Sequence, residues 1–124
     1  MAKHNLLGQW GEQLARDYLE GKGYFLRDQN FSARKQELDI VALSPDGTTL
    51  VFIEVKTRTD DQLLAPAMAV DRRKIRNLAR AADNYMKQEA LELDVRFDIV
   101  TIVGDTPQNA RMEHIENAFN PLLI

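Results

Sequence analysis

The chain has no cysteine among its 124 residues. That absence excludes disulfides, thiolate zinc sites and cysteine nucleophiles together, and it makes the cytoplasm the expected compartment. No apolar run approaches the ~20 residues that a membrane-spanning helix needs, so no membrane partner is expected. The opening Met1-Ala2-Lys3-His4-Asn5-Leu6-Leu7-Gly8 lacks the apolar stretch of a secretory signal, because polar side chains return almost at once. An excess of basic charge is missing too. The formal net charge of −3 argues against a non-specific nucleic-acid coat protein. Repeats, low-complexity tracts and linkers are absent, and the length suits one domain over residues 1–124.

What is present is globular in kind, with 44% hydrophobic and 28% charged residues. The charge is unevenly spread. Residues 1–80 carry 13 Lys/Arg against 11 Asp/Glu, whereas residues 81–124 carry 3 against 8. Arg72, Arg73, Lys74, Arg76 and Arg80 fall within a single short stretch, so any positive surface is local.

Leu7, Trp10, Leu14 and Tyr18, with Gly11, Ala15 and Leu19 beside them, recur at helical spacing and predict a helix over about residues 5–21, stopped by Gly21 and Gly23. Gly8 and Gly11 inside it each cost on the order of 1 kcal/mol against alanine, which points to a close approach by some other backbone. Tyr24 to Phe31 reads as a short strand. Residues 37–43 and 49–56 flank Ser44-Pro45-Asp46-Gly47 and read as a β-hairpin. Thr57 to Val70 reads as a long loop. Asp71 is placed to cap a second helix running to about Glu89, with Ile75, Leu78, Ala79, Ala82 and Tyr85 on one side. Val95 to Val103 and Met112 to Ile115 complete an order αβββαββ, a mixed α/β domain.

The hairpin carries the most informative pattern. With the turn centred between Asp46 and Gly47, Leu43 faces Leu50, Val41 faces Phe52, Asp39 faces Glu54 and Glu37 faces Lys56. All eight share one face by the two-residue alternation of strands, and Leu38, Ile40, Ala42, Val51, Ile53 and Val55 take the other. Both faces are apolar except for four ionisable groups at one end. Two like charges opposed on a half-buried pair are unfavourable unless something neutralises them. A divalent cation would do so, since Mg²⁺ takes one or two carboxylates together with waters and phosphate oxygens. Lys56 on the same face would then orient or activate a water for phosphodiester hydrolysis. An Asp and a Glu near strand ends also suit solvated rim positions, or pairing with Lys56 and Arg58.

Asp39, a hairpin turn and then Glu54-Val55-Lys56 resemble the D-(x)n-(D/E)-x-K core of the PD-(D/E)xK nuclease superfamily. The whole chain is similar to the YraN-like family of uncharacterised bacterial proteins. The likeness runs through Gly8-x-x-Gly11-Glu12-x-x-Ala15-x-x-Tyr18-Leu19, Gly23-Tyr24, Asn30 and Glu37-Leu38-Asp39. It continues with Val51-Phe52-Ile53-Glu54-Val55-Lys56-x-Arg58, Ala69-Val70, Lys74, Arg96-Phe97-Asp98 and Asn117-Ala118-Phe119. The resemblance implies a restriction-endonuclease-like fold, with a central mixed sheet flanked by helices. It implies Mg²⁺ or Mn²⁺ on Asp39 and Glu54, Lys56 completing the site, and Glu12 on the first helix supporting a second metal or the attacking water. Two positions depart from the pattern: Leu38 stands where the superfamily has proline, and Gln36-Glu37 where the family has Gly-Glu.

Arg72, Arg73, Lys74 and Arg76 open the second helix, where cations oppose the helix dipole but a docked phosphate would be favoured by both. Arg34 and Lys35 would extend that surface. A solvated charged face is the plain alternative. Glu37 suits a partner for Lys56 or for a nearby arginine rather than a ligand. His4 and His114 read as structural, and Trp10, Tyr18, Tyr85 and Phe97 as core. Asp98 reads as a rim acid or a helix cap. The apolar Leu122-Leu123-Ile124 suits packing on the domain or on a second copy, which would make a homodimer. The expected function is a metal-dependent endonuclease acting on DNA, with branched or junction DNA in view. Two alternatives use the same fold: a nucleic-acid-binding module without cleavage, and a protein-interaction scaffold.

Overall fold

The computed structural model describes residues 6–33, 36–59, 72–104 and 106–120. Two helices, α1 (Leu6–Gly21) and α2 (Arg72–Gln88), pack on opposite faces of a five-stranded sheet. The strands are β1 (Phe25–Ala33), β2 (Gln36–Leu43), β3 (Thr49–Arg58), β4 (Asp94–Val103) and β5 (Arg111–Ile115). They lie side by side in chain order, and only β3 and β4 run parallel. A parallel pair needs a crossover, and α2 lies between these two strands in the chain. Among the described residues the elements make a mixed α/β fold of two helices and five strands.

The hairpin turn is built from local chemistry. Gly47 N–H donates to the Ser44 carbonyl at 2.9 Å, and Gly47 has a φ of 76°, which favours glycine. The Asp46 carboxylate accepts from the Ser44 hydroxyl at 2.7 Å and from the Thr48 N–H at 3.1 Å. This turn sets the pairs Leu43–Leu50, Ala42–Val51, Val41–Phe52 and Ile40–Ile53, the register expected from the sequence.

Alternation then sorts the core. Ile40, Ala42, Val51 and Ile53 pack with Val100 and Ile102 against Ala15 and Leu19 of α1. Val41, Leu50, Phe52 and Phe97 pack against Leu78, Ala81, Ala82 and Tyr85 of α2. At Gly11 an added Cβ would lie 2.0 Å from Thr57 Oγ1, so glycine is what lets α1 settle onto β3. The expected approach of another backbone to Gly11 is corrected: the neighbour is the Thr57 side chain.

Three further expectations are corrected. Thr57 and Arg58 belong to β3 and not to a loop, because they continue the parallel ladder as Thr57–Ile102 and Arg58–Val103. Leu38 packs on the α2 face with Val41, not on the α1 face with Ile40. Strict alternation fails across Asp39, and Asn30, between the pairs Gln29–Ile40 and Phe31–Leu38, has a φ of 52°. Asp98 is no rim acid, being 0% exposed. The loop beyond Asp60, the Asp71 cap, Arg34, Lys35, His4 and the Leu122–Ile124 tail lie outside the described residues.

Candidate metal and phosphate site

The last ladder pair of the hairpin is Ile40–Ile53. Beyond it a side chain takes over the pairing: Val55 N–H donates to Asp39 Oδ2 at 2.9 Å. Asp39 is thereby fixed against the stretch of β3 that carries Glu54 and Lys56. Glu54 is buried, at 6% exposure. Its Oε2 receives two ammonium groups, Lys56 Nζ at 3.2 Å and Lys74 Nζ at 3.4 Å. Lys56 thus pairs with Glu54, not with Glu37, which is exposed.

Burial, and after it the negative charge of Glu54, pushes the Asp39 carboxyl up to about 8. The Val55 hydrogen bond opposes that rise, Glu12 adds to it, and Lys74 opposes it. Glu12, buried on α1 at 7% exposure, therefore lies within electrostatic reach of Asp39. The tertiary structure brings together Glu12, Asp39, Glu54, Lys56 and Lys74, from both helices and two strands.

Among the described residues no three His, Asp or Glu side chains converge as a ready metal cage. A buried and a half-buried carboxylate are nonetheless what Mg²⁺ accepts, since it keeps several waters. The residues fit a divalent cation on one observation. Burial and the like charge of Glu54 push Asp39 towards its protonated form, and a dication shared by the two carboxylates would relieve both costs.

The basic run divides. Arg72, Arg73 and Arg76 point to solvent at the start of α2, whose first turn holds no acid, while Lys74 turns inward to Glu54. Sequence spacing placed all four on one surface. The inward turn of Lys74 was invisible to it, because it depends on where α2 lies over the sheet. Arg58, further along the same face of β3 by alternation, contributes the one buried side-chain nitrogen or oxygen among the described residues without a hydrogen-bond partner, its Nε.

A second polar cluster lies on the α1 face. Asp98 accepts from Arg96 Nε at 2.9 Å, Arg96 Nη2 at 2.8 Å and the Asn117 N–H at 2.9 Å, and lies 2.7 Å from His114 Nε2. His114 Nδ1 lies 3.1 Å from the Tyr18 hydroxyl. The carboxylate can only accept, which places a ring proton on Nε2. Burial would raise the Asp98 pKa, but His114, Arg96 and Asn117 outweigh it and hold it below the usual carboxylate range. This cluster ties α1, β4, β5 and the turn after β5 together.

Neither described hollow competes with the carboxylate site. The larger, about 380 Å³, lies between α2 and β4; Phe97, Met86 and Phe119 help line it, and its one charged residue is Asp83. A hollow of about 300 Å³ beside Tyr24 and Arg96 is lined by charges with partners of their own: Arg96 holds Asp98 and Glu116, and Asp46 serves its own turn.

No described helix is long and apolar enough to cross a membrane. A UPF0102 protein of Bacteroides fragilis is 47% identical over 124 residues, covering all of both chains. A UPF0102 protein of Bacteroides thetaiotaomicron is 46% identical over the same full span. One from Porphyromonas gingivalis is 44% identical over 125 residues, covering all of this chain and 90% of that one. The family profile described as "Uncharacterised protein family UPF0102" matches residues 11–102, which take in Glu12, Asp39, Glu54, Lys56, Lys74 and Asp98. The chain belongs to the uncharacterised protein family UPF0102.

Proposed function

We propose that this chain is a Mg²⁺- or Mn²⁺-dependent endonuclease of restriction-endonuclease-like fold, hydrolysing phosphodiester bonds in DNA, with branched or junction DNA as its substrate. The observation that carries the reading is the Asp39–Glu54 pair: two carboxylates at the end of a hairpin, one buried and one fixed by a backbone N–H, with Lys56 alongside. Asp39 and Glu54 would hold the cation. Such an ion acidifies a bound water and polarises a phosphoryl oxygen. Lys56 would orient the attacking water and supply positive charge where it builds on the phosphorane oxygens. Glu12, at the edge of the pair, would accept a hydrogen bond from that water. Arg72, Arg73 and Arg76 would hold the phosphate backbone beside it.

The test sets wild type and Glu54→Ala against labelled single-stranded, duplex, flap and four-way-junction DNA, each with Mg²⁺, Mn²⁺ or EDTA. Cleavage by wild type that both EDTA and the substitution abolish is expected. A salt-sensitive band shift without cleavage would replace this reading with a binding module, which the exposed arginines at the start of α2 favour as the second choice. Neither cleavage nor shift would leave the scaffold.

A further inference from the structure

The two ammonium groups on Glu54 Oε2 are not equivalent. Lys56 comes from the same strand, two residues on, and is 25% exposed; Lys74 comes from α2 and is 42% exposed. We propose that Lys74 is a group of the site itself: it stands in as the counter-ion of Glu54 in the metal-free protein, gives up that oxygen when a divalent cation binds, and then contacts the substrate phosphate. This rests on the reading of Asp39 and Glu54 as metal ligands.

Three physical points support it. A dication on either oxygen of the Glu54 carboxylate adds a third positive centre within a few ångströms of the two ammonium ions, which stand 3.2 and 3.4 Å from Oε2, and like charges at that range repel. The group that leaves is the one with more access to water and a long flexible stem, which is Lys74. Its helix starts with Arg72 and Arg73, both exposed, so the released ammonium joins an electropositive helix start on the side where a phosphate chain would lie. Lys74 forms and breaks no bond in this role. It lends charge in two places, one after the other.

The consequence is an opposition of signs that no surface lysine would give. Removing Lys74 should tighten metal binding and weaken catalysis. The experiment titrates Mn²⁺ into wild type, Lys74→Gln, Lys74→Arg and Lys87→Gln by calorimetry, then measures junction cleavage at saturating metal. Lys87, exposed and paired with Asp83, serves as the control for loss of one positive charge on α2. Lys74→Gln should bind Mn²⁺ more tightly, by on the order of tenfold, and cleave at least tenfold more slowly. Lys74→Arg should restore the wild-type affinity, and Lys87→Gln should match wild type in both. Unchanged or weaker Mn²⁺ binding by Lys74→Gln, with wild type binding normally, would overturn the role of Lys74 alone. No Mn²⁺ binding by wild type would overturn the metal site and this role with it. Tighter metal binding with unimpaired cleavage would remove the contact with phosphate.

Discussion

The Val55 N–H donates to Asp39 Oδ2 at 2.9 Å, so the hairpin is joined beyond its last ladder pair by an acid where a carbonyl would ordinarily stand. The ladder ends at Ile40–Ile53, and the next link between the strands is this side-chain bond, with a carboxylate on each strand beside it. The same bond orients one oxygen of Asp39, and on the proposed reading its other oxygen would ligate the cation. Structure and chemistry share a single group, which sets the sign of several effects.

Asp39 should make the metal-free protein less stable as pH rises. Its folded pKa, about 8, lies above the unfolded value of 3.8, so the folded chain binds the proton more tightly. Between those two values the unfolded state has fewer protons, and stability falls as pH climbs, levelling off above the folded pKa. Asp39→Asn keeps an acceptor for Val55 and removes the charge. It should raise the metal-free melting temperature at pH 8, by roughly 1–3 kcal/mol in stability, and flatten the pH dependence from pH 4 to 8. Thermal melts of both proteins in EDTA across that range decide it.

Asp98 should behave in the opposite sense. Its folded pKa is depressed, so its contribution is present above the unfolded value and is lost as pH falls through the folded one. Asp98→Ala removes a buried acceptor from Arg96, His114 and the Asn117 N–H together. A loss of about 3–5 kcal/mol is expected, as for removal of one partner of a buried ion pair. Urea unfolding at pH 7 measures it.

Gly11→Ala should destabilise although alanine favours helix by about 1 kcal/mol. Its Cβ would meet Thr57 Oγ1 at 2.0 Å and Thr57 Cγ2 at 3.0 Å. A net loss of about 1–3 kcal/mol is expected, as for overpacking. Thr57→Ala takes away both atoms, so the double variant should recover part of that loss, which a double-mutant cycle reports.

Arg73→Glu with Arg76→Glu should weaken DNA binding and lower the slope of log affinity against log salt by about two, if each arginine neutralises one phosphate. Fluorescence anisotropy between 50 and 200 mM salt checks this, ranges at which such slopes are plain. The fold should be untouched, since both side chains are exposed.

Local chemistry made much of this protein legible from its sequence. The Pro45-Asp46-Gly47 turn sets the hairpin register by itself, because an aspartate that caps its own turn and a glycine with positive φ leave little choice. Helical periodicity marked α1 and α2, and alternation placed Val41, Leu50 and Phe52 together on one face. Asp39, Glu54 and Lys56 came to notice because charges interrupted that face. What depends on distant chain meeting distant chain was decided only by the tertiary structure. Leu38 changes face where strict alternation fails across Asp39, opposite Asn30 with its positive φ on the neighbouring strand. Asp98 looked like any strand acid until β5 and the turn after it brought His114 and Asn117 to its oxygens. Lys74 looked like one more cation in a basic run until α2, lying across the β2–β3 face, turned it onto Glu54. Spacing along the chain fixes which side of an element a residue takes, and only packing fixes which charge it finds there.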